Sequence, residues 1–321
     1  MTSLSTPRWF SFMRAVQGHG WFELPPFHWD EERSVLHRVL STARGRALLV
    51  SISSPGPGRI LVNVRLPRVA KRGRGSADRA EAARQVRHML RLDEPFEDFH
   101  RICRRIEGFA WAAESGAGPL LRAPDPFEDL VKMICTTNCT WALTRVMVKA
   151  LVAGLGRPLA ASPGLPEGAA SWRAFPTPEA MAQAPLSFYV RRARAGYRAA
   201  ALKTLAERVA GGDLDPRRWL ERDRGTEAIR AEIESVRGAG PYVADNMLKL
   251  LGRYEGLGID SWCRRKFAAI YHGGRRVGDR RIARFYAPFG AWRGLALWCN
   301  LTRDWFEGEG PVALLAREQK Y

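Results

Sequence analysis

Val236–Phe267 reads VRGAGPYVADNMLKLLGRYEGLGIDSWCRRKF, and the fold is decided there. Gly238 and Gly240 flank Ala239 in a tight turn, where glycines permit positive φ and close backbone approach. Pro241 suits the first helical position of a helix predicted over Tyr242–Leu251. The first amides of a helix lack intrahelical partners and sit at the positive end of its dipole. The amides of Gly240, Tyr242 and Val243 are therefore expected to face one phosphate. Alone, a Gly-x-Gly between helices is most often a plain C-cap. The flanks add weight. A helix over Thr226–Val236 precedes the turn, and a second turn beyond it delivers Ile259-Asp260-Ser261-Trp262. A carboxylate at Asp260, beside Trp262, Arg264, Arg265 and Lys266, would repel a phosphate unless it has chemistry to do. The combination implies a grip on a nucleic-acid backbone and stabilisation of positive charge on a sugar. The plainer alternative makes Asp260 the N-cap of a helix starting near Ser261.

Working outward, Arg46–Ser53 and Arg59–Leu66 are β-branched runs around Ser54-Pro55-Gly56-Pro57-Gly58, a hairpin signal. Before them, Val35, Leu36, Val39 and Leu40 are spaced like a helix over Glu32–Thr42. Residues 1–20 carry a weak pattern and read as a loose arm. Lys71–Gly75 reads as a basic loop, and Asp78–Leu92 as a helix capped by Ser76 or Asp78. From about residue 95 the signals are helical. Pro126–Leu155 reads as one long helix capped by Asp125, Gly154–Arg173 as a loop, and Thr177 as the cap of a short helix. Tyr197–Val209 and Arg281–Trp305 complete the helical set. The expected organisation is an arm over 1–20, a small α+β domain over 21–95 and an all-helical domain over 96–321.

Composition narrows the partner. Lys plus Arg number 51 against 33 Asp plus Glu, a formal charge of +18, which favours a polyanion: nucleic acid first, an anionic membrane surface second. Five cysteines without framework spacing imply a reducing cytosol and neither a zinc site nor an iron–sulfur cluster. The N-terminus has no apolar run of signal-peptide type, and no stretch of about eighteen apolar residues predicts a membrane span.

Val236–Ala244 with Ile259–Asp260 resembles the helix-hairpin-helix motif and loop aspartate of the helix-hairpin-helix DNA glycosylase superfamily. Asp125–Val148 is similar to the helix that opens the catalytic domain in its 8-oxoguanine and 3-methyladenine branches. Gly196–Ala199 resembles their segment entering DNA, and Pro288–Asn300 their C-terminal pocket helix. Residues 20–95 resemble, less specifically, their N-terminal β-containing domain.

The resemblance implies a role for each matching residue. Asp260 becomes the catalytic carboxylate, stabilising oxocarbenium character on the deoxyribose or aligning a water. Asn138 enters the space left by the flipped base, Tyr197 is the wedge and Arg198 reads the orphaned partner base. Trp298 stacks on the flipped base, with Tyr242 and Trp262 as further walls. Gly294 stands where the 8-oxoguanine branch has a glutamine reader, and Asn246 where it has a cysteine. Gly238, Gly240 and Val243 grip the backbone, with Arg264 and Lys266 on a phosphate track. Tyr242 holds the place of the lysine used by strand-nicking branches, and tyrosine forms no Schiff base. Lys249 is read as an ordinary surface or phosphate-binding lysine. Trp292 is read as a packing aromatic.

The expectation is a mainly α protein with a small α+β N-terminal domain and the helix-hairpin-helix glycosylase fold. It would be a monofunctional base-excision glycosylase for alkylated purines in duplex DNA. It would be a cytoplasmic, nucleoid-associated monomer needing no cofactor and no membrane, with a monovalent cation at the hairpin left open. The rivals are a non-catalytic binder of distorted DNA and an oxidised-purine glycosylase with lyase activity.

Overall fold

The computed structural model describes residues 1–66, 74–159 and 165–306. Strands β1 (Thr2–Ser5), β2 (Phe27–Asp30), β3 (Val35–Ser41), β4 (Ala47–Gly56) and β5 (Arg59–Arg65) form one antiparallel sheet in the order β1-β5-β4-β3-β2. The predicted hairpin is β4–β5. Two expectations for this region are corrected. Residues 1–20 are not loose: β1 pairs with β5, and α1 (Phe12–Gln17) buries Ala15 and Val16 completely. Glu32–Thr42 is not a helix but contains β3. Its period of two is hidden because both faces are covered. Leu36, Arg38 and Leu40 pair with Ile52, Val50 and Leu48, while Val39 packs on the opposite face with Leu49 and Ala174.

The helical body follows in chain order: α2 (Arg74–Met89), α3 (Glu97–Arg105), α4 (Ala110–Glu114), α5 (Pro126–Thr136), α6 (Trp141–Leu155), α7 (Pro178–Gln183) and α8 (Arg198–Ala210). Then come α9 (Thr226–Glu234), α10 (Pro241–Leu250), α11 (Ser261–His272), α12 (Asp279–Tyr286) and α13 (Arg293–Leu301). Residues 71–73 of the expected basic loop lie outside the described residues. Asp78 is no cap; it lies inside α2, buried and ion-paired with Arg46. Pro126–Leu155 is two helices, broken where Thr137 turns extended and Asn138 takes φ +45°. Asp125 caps the first through Phe127 N, and Thr140 caps the second through Leu143 N.

One hydrophobic core joins the inner sheet face to the helices. It encloses an ion cluster: Arg38 donates to both oxygens of Glu128 at 2.8 and 2.5 Å, and Lys132 lies 2.7 Å from the same carboxylate. Removing one partner of such a buried pair would leave an uncompensated charge in the core. Beside it, Asp129 Oδ1 accepts from Trp21 Nε1 at 2.7 Å and Ala123 N at 2.8 Å. These bonds fasten the N-terminal segment to α5, the helix that packs on α10.

Candidate active site

α9 and α10 are joined by a turn closed by Ala239 N–H donating to Val236 O at 2.9 Å. Val236, Ala239 and Val243 are buried, while Gly238 and Gly240 face outward. Gly238 has φ +84° and needs to be glycine. Gly240 does not share that geometry: its φ is −80°, open to any residue. The side chain of Val243 belongs to the core, so only its backbone is available to a ligand.

α10 fixes the loop that follows it. Asp245 Oδ2 accepts from Gly258 N at 2.9 Å, and Lys249 Nζ donates to Leu257 O at 2.8 Å and Asn246 Oδ1 at 3.1 Å. A Cβ on Gly258 would lie 2.6 Å from Asn246 Nδ2 and 2.8 Å from Lys249 Nζ. Lys249 is therefore no surface lysine. It is 2% exposed, and burial lowers its pKa to about 8 against the upward pull of Asp245, Cys263 and Asp260. At the other end of α10, Arg91 and Arg122 donate to the Leu250 carbonyl, each at 2.8 Å.

The loop ends on Asp260, whose Oδ1 accepts from Cys263 N at 2.7 Å. Asp260 thus caps α11, and it also lines a cavity of about 340 Å³. Its wall is rich in aromatic rings: Trp21, Trp141, Trp262, Trp298, Trp305 and Tyr242, with His19 among them. Trp21 and Trp141 lie 10° from parallel with centroids 6.4 Å apart. Their N–H groups are anchored outside the cavity, Trp21 on Asp129 and Trp141 on Glu23 Oε2 at 3.1 Å. Trp298 donates to Gly18 O at 2.7 Å. Burial, then the nearby Asp260 carboxylate, pushes the Tyr242 phenol well above its usual range.

Asp260, Tyr242, Trp262 and Trp298 are brought together on this wall. Gly294 is not there, which corrects its assignment. A Cβ on it would lie 2.0 Å from Gly256 O and 2.7 Å from Tyr254 O, so it is a packing glycine of α13. Asn138 and Tyr197 do meet: Asn138 Nδ2 donates to the Tyr197 hydroxyl at 3.2 Å, and Tyr197 is 61% exposed. Thr136, Cys139 and Thr140, around Asn138, line the cavity. Arg198 is not the expected exposed reader. It is buried and donates to Thr137 Oγ1 at 3.2 Å and to the Thr137 carbonyl, clamping that loop. Lys266 is half-buried and reaches Asp304 at 2.5 Å, and Arg264 pairs with Asp279. The cation on the cavity wall is instead Arg265, which is exposed. Trp292 stacks on Tyr254 in the core, the packing role expected of it.

His19, Gly20, Trp21, Trp141 and Trp305 escaped the sequence reading. They come from three distant segments, and an unusual count of 11 tryptophans was the one signal available. Among the described residues, no cluster of His, Cys, Asp or Glu could hold a metal ion, and no helix is long and apolar enough to cross a membrane.

No protein-family model matches the sequence, and no curated protein does. Solved structures do. A 3-methyladenine DNA glycosylase from Archaeoglobus fulgidus superposes with a TM-score of 0.74 at 20% identity, covering 96% of this chain and 100% of its own. The chain has the fold of the helix-hairpin-helix DNA glycosylases. MBOgg1, solved in complex with a low-affinity DNA ligand, matches with a TM-score of 0.70 at 18% identity, over 94% of this chain and 95% of its own. The 8-oxoguanine glycosylase/lyase of Clostridium acetobutylicum matches with a TM-score of 0.65 at 17% identity, over 90% and 94%.

Proposed function

We propose that this protein is a base-excision DNA glycosylase that hydrolyses the N-glycosidic bond of a flipped, alkylated purine and leaves the strand intact. One observation carries the reading: the hairpin and its pinned loop deliver a carboxylate, Asp260, onto the wall of a cavity built from tryptophans. The hairpin amides suit a phosphate, and the charge of +18 suits a polyanion. Asn138 and Tyr197 lie together where a flipped base leaves a gap to be filled. The fold match with enzymes acting on damaged bases, one of them solved with DNA, supports the same direction.

The cavity favours the electron-poor ring of an alkylated purine, which gains from the faces of tryptophan and tyrosine. As the glycosidic bond breaks, its electron pair leaves with the base and the deoxyribose becomes cationic. Asp260 stabilises that cation while water attacks the anomeric carbon. A strand-nicking step needs a free amine. Tyr242 holds the expected lysine position, and the Lys249 amine is engaged by Leu257 O and by Asn246 Oδ1, so that Asn246 and not Lys249 lines the cavity. These facts support hydrolysis without lyase chemistry.

Asp260→Asn is the test, because asparagine caps helices as well as aspartate does and so keeps α11. On duplexes with alkylated, oxidised and deaminated bases, the wild-type protein should release an alkylated purine fastest and yield an abasic site. The variant should lose about 10²-fold or more in single-turnover rate and keep its DNA affinity. Borohydride should trap no protein–DNA adduct. Near-normal release by the variant removes Asp260 from the mechanism. A trapped adduct that disappears in Lys249→Met establishes lyase chemistry instead.

A further inference from the structure

Trp141 lines the cavity and is only partly buried, so its ring is open to a ligand. Its Nε1 donates to Glu23 Oε2 at 3.1 Å. The Glu23 carboxylate is poorly compensated. Its side chain is 8% exposed, and among the described residues Oε1 is buried with no hydrogen-bond partner. Arg145 reaches Oε2 at 3.7 Å but is itself 57% exposed, a long contact that contributes little. Burial raises the pKa of Glu23, against the opposite pulls of the Trp141 bond and then Arg145. Trp21 also donates to a carboxylate, that of Asp129, but there the charge is offset, because Lys132 lies 5.7 Å from the Trp21 ring. Trp21 is also 2% exposed, so Trp141 is the indole that joins an open face to an uncompensated charge.

A carboxylate that accepts from an indole N–H draws on the proton and leaves more electron density on the ring. Hydrogen bonds polarise one another most where the surroundings are apolar. A richer ring attracts a cation over its face more strongly, and tryptophan is the best of the aromatic side chains at this. The lining residues hold one exposed cation, Arg265, whose charge solvent screens more than it screens buried Glu23. We propose that Glu23, acting through Trp141, makes this cavity prefer a flat ring that carries positive charge over a neutral ring of the same shape. Glu23 touches no ligand; it is a positioning residue that fixes the indole and sets its electron density. The proposal rests on the glycosylase reading and narrows its substrates to bases that are cationic while joined to the sugar. Such a base becomes neutral once the glycosidic electron pair leaves with it, so the attraction that held it also lapses.

Equilibrium dialysis at neutral pH against 1-methylquinolinium and 4-methylquinoline reads the charge preference apart from chemistry. Both are flat bicycles with one methyl group, the first cationic and the second neutral. Wild-type protein should bind the cation about ten-fold tighter. Glu23→Gln keeps an acceptor for the Trp141 N–H and removes the charge, so the ratio should fall to within about three-fold. Glu23→Asp should retain part of the preference. In a Trp141→Leu background, Glu23→Gln should change the ratio little. Loss of folded protein cancels in a ratio. An unchanged ratio in Glu23→Gln, equal weakening of both probes, or a full Glu23 effect without the indole overturns the proposal. Duplexes carrying 7-methylguanine, cationic in DNA, or hypoxanthine, neutral in DNA, separate the two ideas. Glu23→Gln should raise KM for the 7-methylguanine duplex and leave kcat, because the attraction acts on the bound base and not on the sugar cation. A Glu23-dependent probe preference without release from any duplex leaves this proposal standing and removes the glycosylase activity. Release together with a probe ratio that ignores Glu23 does the reverse.

Discussion

Gly20 shows how closely single positions shape the cavity. A Cβ there would lie 2.8 and 2.9 Å from two ring atoms of Trp141. The indole cannot simply step aside, because its N–H is held by Glu23. Gly20→Ala should therefore tilt Trp141 out of its near-parallel arrangement with Trp21, with an overpacking cost of about 1–3 kcal/mol. We expect base release to slow by about ten-fold in a variant that still unfolds cooperatively in urea. An unchanged single-turnover rate would mean that Trp141 is not a working wall. None of this is legible in the sequence, where Gly20 ends a segment of weak pattern. Asp260, Tyr242, Trp262 and Trp298 are legible because a local motif and a resemblance locate them. Gly294 misleads because a missing side chain reads equally well as an open pocket or as close packing, and only the nearby Gly256 and Tyr254 carbonyls decide.

Among the elements, the hairpin is the most securely legible, since Gly238, Pro241 and the buried Val236 and Val243 all act within one short stretch. Elements shaped by distant partners are the least legible. β3 carries Arg38 on its inward face because Glu128, 90 residues away, waits there. The break between α5 and α6 depends on a positive φ at Asn138 that Tyr197 and Arg198 help to hold. The two hairpin glycines differ in what a substitution should do. Gly238→Val forces a β-branched residue into φ +84° with its Cβ 3.3 Å from that of Ala201, so it should distort the turn. Gly240→Val has an ordinary φ and nothing within 4 Å, so it should fold normally and only crowd the phosphate. Both should weaken damaged and undamaged duplexes alike. The slope of log affinity against log salt should shrink by about 0.9 for each phosphate that the turn no longer grips. A shift in lesion preference from Gly240→Val would show that the turn touches bases.

At the scale of the whole molecule, sheet and helices are joined through buried charge, so stability should depend on pH in two opposed ways. Burial holds His19, His28 and His88 neutral, with pKa values lowered to about 3, 4 and 2. The unfolded chain takes up these protons below about pH 6.5, so acid favours unfolding. Asp129 works the other way. Burial, outweighing its bonds from Ala123 and Trp21, raises its pKa from 3.8 to about 6. The folded state then binds this proton more tightly than the unfolded chain. Ionised Asp129 is a cost that is absent below about pH 4, grows through the window between, and is complete above about 6, with an upper bound of about 3 kcal/mol. Asp129→Asn isolates it, because the amide oxygen can still accept from Trp21 and Ala123 while the charge is gone. The difference in Tm between variant and wild type should rise in the variant's favour from pH 4 to about pH 6 and level off above it. Any loss from the added amide protons is an offset that does not change with pH, so the slope is what counts. A difference that stays flat over that range would mean that Asp129 remains ionised throughout, and that Lys132 and Arg38 compensate its charge across the join between sheet and helices.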